Sequence, residues 1–168
     1  MALGEYASGD VGEYEHATLV LLENIGMGMS AVVHGNCQHG ANYMYGELGH
    51  IKLPVNTYCS CGQQGCLEAA IKDQLMTNGG VMDSRIMEYI SIGVSTAVNI
   101  TDSGKVRLVG HLVDGMTFAQ ESELTQMIRS KVANERSRRL QIGIGGNYSD
   151  LSIKGVCAHI FNNQYAIS

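Results

Sequence analysis

The chain has 168 residues, 45% hydrophobic and 16% charged, enough apolar material for the core of one domain or one lobe of a larger protein. Its net charge of -5 argues against a nucleic-acid-binding surface of its own, because phosphate contacts need clustered Lys and Arg. It contains no apolar run near the ~20 residues of a membrane-spanning helix, and its first residues lack the basic-then-apolar pattern of a signal peptide; no membrane contact and a cytoplasmic location are expected.

In chain order, Ala2–Tyr6 is consistent with the tail of a helix. Ala17–Glu23 is apolar and β-capable, Asn24–Gly28 reads as a glycine turn, and Met29–His34 as the returning strand, with Gly35-Asn36 as a second turn. Asn42–Gln64 is irregular and broken by glycines, a length of loop that needs a staple. A helix is expected from Cys66 to Met76. Another spans Ser84–Ile100, with Ser84 as N-cap and Ile86, Met87, Ile90, Val94, Ala97 and Val98 at helical spacing. Lys105–Val109 and Leu140–Ile144 read as short buried strands around an amphipathic helix, Ala119–Arg139. The basic run Arg136–Arg139 falls at that helix's end, where cations complement the dipole; a polyanion contact is the alternative. Ser152–Ala166 reads as a closing helix with Cys157 in its apolar face. A strand meander followed by alternating helices and strands implies an α/β fold, a sheet with helices packed on it.

The strongest chemical signal is the run from Gly46 to Glu68. Three of the five cysteines, Cys59, Cys61 and Cys66, fall in a Cys-x-Cys-Gly-x-x-Gly-Cys pattern preceded by His50. Three thiolates and an imidazole form the donor set that zinc takes in a closed tetrahedral site, and Gly62 and Gly65 let the backbone turn tightly enough for Cys66 to arrive. Four protein ligands leave no open position, so a zinc ion here is structural and does not activate water. The alternative is a set of reduced, unconnected thiols. Cys37 has no assigned role, and His16, His34, His39, His111 and His159 read as structural or surface residues, with a ligand role for His39 left open by its nearness to the loop.

The segments ENIGMGMSAVVHGN, GANYMYGELGH and CSCGQQGCLEA together resemble the ROK family of repressors, open reading frames and sugar kinases. ALGEYASG, YISIGVSTAVNITDSGKVRLVG and GVCAHIFNNQYA extend the resemblance over nearly the whole chain, residues 1–168. It implies a ribonuclease-H-like, actin-like ATPase fold, a mixed sheet flanked by helices with a zinc-stapled loop. This chain would be the C-terminal lobe only, without the N-terminal lobe, the catalytic aspartate or a DNA-binding domain. No catalytic residue is therefore assigned.

By the same resemblance Glu47, His50 and Glu68 contact sugar hydroxyls. Family kinases hold nucleotide with a Gly-Thr-Gly turn and a later Gly-Gly pair. Here these read Gly26-Met27-Gly28 and Gly110-His111, a degenerate nucleotide site at Gly26, Gly28 and Gly110. The lost hydroxyl at Met27 favours the repressor branch: a sugar- or sugar-phosphate-binding, homodimerising lobe of a transcriptional regulator. Such a lobe touches DNA only through a separate domain. The alternative is the C-terminal lobe of an ATP-dependent sugar kinase of glucokinase, fructokinase or N-acetylhexosamine kinase type, inactive by itself.

Overall fold

The computed structural model describes residues 16–24, 26–34 and 36–146. The expected helix tail at Ala2–Tyr6 and the closing helix with Cys157 and His159 lie outside these residues. Among the described residues five strands form one mixed sheet: β1 (His16–Glu23), β2 (Gly26–Val33), β3 (Asn36–Cys37), β4 (Lys105–Val109) and β5 (Gln141–Ile144), in the order β3-β2-β1-β4-β5. β1 pairs antiparallel with β2 and parallel with β4, and β4 pairs parallel with β5. The helices are α1 (Leu67–Thr77), α2 (Ser84–Thr101), α3 (His111–Asp114) and α4 (Phe118–Lys131).

Strand alternation assigns the two faces. Val20 and Leu22 of β1 join Val106 and Leu108 of β4 in the main core, with Ile71 of α1, Ile90 and Val94 of α2, and Leu124 and Ile128 of α4. Leu19, Val32 and Val109 form a smaller cluster. All six apolar positions foreseen on α2 are buried. Among the described residues, no helix is long and apolar enough to cross a membrane.

Three boundaries differ from the sequence reading. First, β2 starts at Gly26 and not at Met29. Gly26 pairs with Glu23 and Gly28 with Leu21, so both glycines lie in the ladder and the link between the strands shrinks to Asn24 and residue 25. Second, Asp83, not Ser84, caps α2: its carboxylate accepts from Ile86 N–H at 2.9 Å and from the Gln74 and Asn78 side-chain amides at 2.7 Å each. Third, α4 stops at Lys131 and not at Arg139. Val132 turns extended to bury its side chain, and Asn134 adopts a left-handed conformation before a 3-10 turn at Glu135–Ser137. The arginine run therefore lies beyond the helix, and its Arg138 reaches back to the Val98 carbonyl at 3.0 Å and to Asp102 at 3.5 Å.

The Ile86 N–H, followed by the two amides, holds the Asp83 carboxyl below its usual range. A depressed folded value means that the contribution of Asp83 is present above the ordinary carboxylate pKa and fades as pH falls through the lowered value. Asp83→Ala is expected to cost about 1 kcal/mol at neutral pH, the typical worth of an N-cap, and less under acid conditions. Urea midpoints of both proteins across the acid range check this.

Candidate metal centre and adjoining cleft wall

The site is built by a turn, a self-closing loop and a helix start. Gly46 C=O accepts from Met29 N–H of β2 at 2.8 Å and from Leu48 N–H at 2.6 Å, tying the segment after β3 to the sheet. Buried Leu48 then anchors a 3-10 turn, Leu48–His50, that ends on the imidazole. The chain from 51 to 66 folds back on itself. Leu67 N–H donates to Ile51 C=O, Leu53 N–H to Gly65 C=O, Gly65 N–H to Thr57 C=O, and Cys59 N–H to Gln63 C=O, all at 2.7–3.0 Å. Gly62 and Gly65 take positive φ, 85° and 78°, where L side chains are strained. Cys66, fully buried, is the N-cap residue of α1.

This folding brings together His50, Cys59, Cys61 and Cys66. One ligand atom from each lies within 4.8 Å of all the others, so the group could hold a metal ion. The thiols of Cys61 and Cys66 are 3.6 Å apart, and Cys59 Sγ is 3.8 Å from His50 Nδ1. Metal–sulfur bonds of about 2.3 Å give tetrahedral edges of about 3.8 Å, which these two separations match. All three are free thiols. Cys37 lies apart in β3, its thiol pushed up chiefly by burial, and His39 is not in the donor set.

The residues assigned to sugar contact border this group. His50 Nδ1 faces the sulfurs, while Nε2 is 3.6 Å from Glu47 Oε2. Glu68, in the first turn of α1, places Oε1 3.7 Å from His50 Nδ1, and the Cys59 thiol donates to it at 3.2 Å. Glu68 also lines a narrow crevice with Glu23, Asn24 and Gly26. Two features escaped the sequence reading. Lys52 Nζ donates to Cys66 Sγ at 2.9 Å, and that bond is the main cause that raises the lysine pKa. Lys52 bridges Cys66 across the folded loop, a register the spacing alone does not reveal. The second is Glu23 Oε2, which stands 2.6 Å from His111 Nδ1. The parallel pairing of β1 with β4 puts their carboxyl ends side by side, joining residues 88 positions apart.

Of the glycines assigned to nucleotide, Gly26 and Gly28 sit in β2, whereas Gly110 ends β4 with φ 114° and caps α3. The Glu23–His111 pair crosses the ends of the two strands at this point. Beside it lies an open cavity of about 500 Å³ that includes Asn24, Leu75, Met82, Leu112 and Gln120.

A family model described as the ROK family matches residues 1–78. A glucokinase of Halalkalibacterium halodurans is 31% identical over 133 residues, 70% of this chain and 40% of that protein. The DNA-binding transcriptional dual regulator NagC of Escherichia coli K12 is 28% identical over 103 residues, 61% of this chain and 24% of the regulator. This chain thus spans less than half the length of either relative. Among solved structures, a ROK hexokinase from Thermus thermophilus matches with TM-score 0.74 at 20% identity, covering 97% of this chain and 63% of that one. A ROK family transcriptional regulator, a homologue of the E. coli MLC protein, matches with TM-score 0.73 at 17% identity, over 94% of this chain and 49% of that one. The mixed sheet with its helices is the fold of these neighbours, and the family match identifies residues 1–78 of this chain as ROK-family sequence.

Proposed function

We propose that this chain is the C-terminal, sugar- or sugar-phosphate-binding lobe of a ROK-type transcriptional repressor, with one structural zinc and homodimeric assembly. The observation that carries the reading is the sharing of His50. Its Nδ1 belongs to the sulfur-rich donor set and its Nε2 faces Glu47, so metal and ligand wall meet on one imidazole. Zinc suits three thiolates and an imidazole, and with four protein ligands it stabilises the loop without activating water. With the ion on Nδ1, the Nε2–H is fixed as a donor toward Glu47 or a hydroxyl. Glu47 and Glu68 accept hydrogen bonds from sugar hydroxyls. The protein is cytoplasmic and reaches DNA only through a separate domain.

The repressor reading is favoured over a kinase by the end of β1. The Gly-Thr-Gly hydroxyl has no counterpart at Met27, and Gly110-His111 replaces the Gly-Gly pair of family kinases, with the His111 side chain 2.6 Å from Glu23 Oε2. In a repressor the sugar acts by preferring one arrangement of lobes by a few kcal/mol. One observation favours the kinase reading: the glucokinase similarity reaches 70% of this chain, further than the 61% of the regulator.

A thermal-shift panel of hexoses, N-acetylhexosamines and their 6-phosphates on the full-length protein tests the proposal. At least one compound is expected to raise Tm, and Glu68→Gln is expected to abolish that rise. ATP is expected to yield no sugar phosphate. Turnover with ATP would move the assignment to the kinase, and the absence of any sugar-dependent shift would remove the ligand-binding role.

A further inference from the structure

A second groove opens on the other side of Glu68. It encloses about 210 Å³ between the tip of the folded loop and the outer face of α1. Two large side chains line it while facing solvent: Tyr58 is 76% exposed and Met76 is 77% exposed. Single exposed apolar residues are ordinary, but two flanking one concavity mark a binding surface. Apart from Cys59 and Ala69 the remaining walls are polar: the hydroxyl-bearing Thr57 and Ser60, the carboxylates Glu68 and Asp73, and the Lys72 ammonium.

From this lining we infer that the groove is a subsite for a second pyranose ring, so that the cleft takes an oligosaccharide or a glycoside and not only a single sugar. The inference rests on the sugar reading of Glu47, His50 and Glu68, and extends that site past Glu68. Three features select this ligand class. An exposed aromatic ring offers a face to the C–H side of a pyranose while its phenol remains wet. Carboxylates and hydroxyls accept and donate to ring hydroxyls. Two carboxylates against one ammonium leave the groove acidic, which disfavours a phosphate and suits a neutral polyol. Glu68 links the groove to the sugar wall: it lines this groove and the narrow crevice with Gly26, and its Oε1 lies 3.7 Å from His50 Nδ1.

The platform is also held in place. Tyr58 is bridged to Gln64 across the loop, and its neighbours are tied by Gly65 N–H to Thr57 C=O at 3.0 Å and Cys59 N–H to Gln63 C=O at 2.8 Å. The metal loop thus presents Tyr58 from a fixed backbone, as a specificity residue requires.

Calorimetric titration of the full-length protein tests this with glucose and N-acetylglucosamine, and with the disaccharides maltose, cellobiose and N,N′-diacetylchitobiose. At least one disaccharide is expected to bind about tenfold more tightly than its own monosaccharide. Tyr58→Ala is expected to erase that advantage while leaving the monosaccharide Kd unchanged, and Tyr58→Phe to keep it. Equal binding of mono- and disaccharides, or a disaccharide preference that survives Tyr58→Ala, would overturn the subsite and leave the sugar site standing. Absence of binding by every sugar would overturn both.

Discussion

Cys66→Ser is expected to weaken metal binding by more than 100-fold and to lower the thermal midpoint by about 10 °C. Cys66 is fully buried at the N-cap of α1, with Sγ 3.6 Å from Cys61 and 2.9 Å from Lys52 Nζ. A serine hydroxyl is a poor zinc ligand and leaves an open position in the tetrahedron. Loss of an outer-shell partner alone typically costs 10–100-fold in metal affinity, so loss of a ligand must exceed that. A ligand present at about 1,000 times its Kd stabilises the folded state by about 4 kcal/mol. At about 2–4 °C per kcal/mol for a chain of this size, that corresponds to roughly 10 °C. The same shift is expected when a strong chelator is added to the unmutated protein, whereas chelator should hardly move Cys66→Ser. Differential scanning calorimetry of both proteins with and without chelator checks the four values. A midpoint of the unmutated protein that ignores chelator would mean the loop stands on its backbone bonds alone.

Gly46→Ala is expected to be as damaging, by a route that involves no metal. Gly46 has φ 95°, and a methyl there would stand 1.9 Å from the Met29 carbonyl oxygen. Something must shift, and what lies closest is backbone of β2. The shift breaks the two hydrogen bonds that Gly46 C=O accepts from Met29 and Leu48. Left-handed strain of about 1–3 kcal/mol and the loss of those bonds, about 1 kcal/mol each, sum to about 3–5 kcal/mol. Because the turn at Leu48–His50 hangs from this contact, metal affinity should fall with stability. Gly62→Ala is the control: its φ is 85°, but its Cβ would meet nothing within 4 Å, so only the strain applies and the loss should stay near 1–2 kcal/mol. Urea denaturation of the three proteins distinguishes the cases. Equal losses for Gly46→Ala and Gly62→Ala would show that the β2 contact contributes nothing.

The donor set was legible because its chemistry is local. Cys59, Cys61 and Cys66 fall within one loop, the glycines at 62 and 65 mark where it turns, and His50 lies nine residues before the first sulfur. The α2 face was legible because six apolar residues repeat at helical spacing over a long segment. Contacts across the fold were not. The Glu23–His111 pair depends on β1 lying parallel beside β4, and Lys52 meets Cys66 only through the register of the folded loop. The start of β2 was misplaced because glycines are poor strand formers, yet here the ladder with β1 overrides propensity at Gly26 and Gly28. The end of α4 was misplaced because Arg136–Arg139 read as helix-terminal charge. The chain instead has to leave the helix to bury Val132 and Leu140 and to deliver β5.

X-ray absorption at the zinc edge, with elemental analysis of protein purified without chelator, tests the metal centre most directly. One zinc per chain is expected, with three sulfur neighbours at about 2.3 Å and one nitrogen at about 2.0 Å. Protein that carries no metal, or zinc surrounded by oxygen and nitrogen with the three thiols free, would contradict the account.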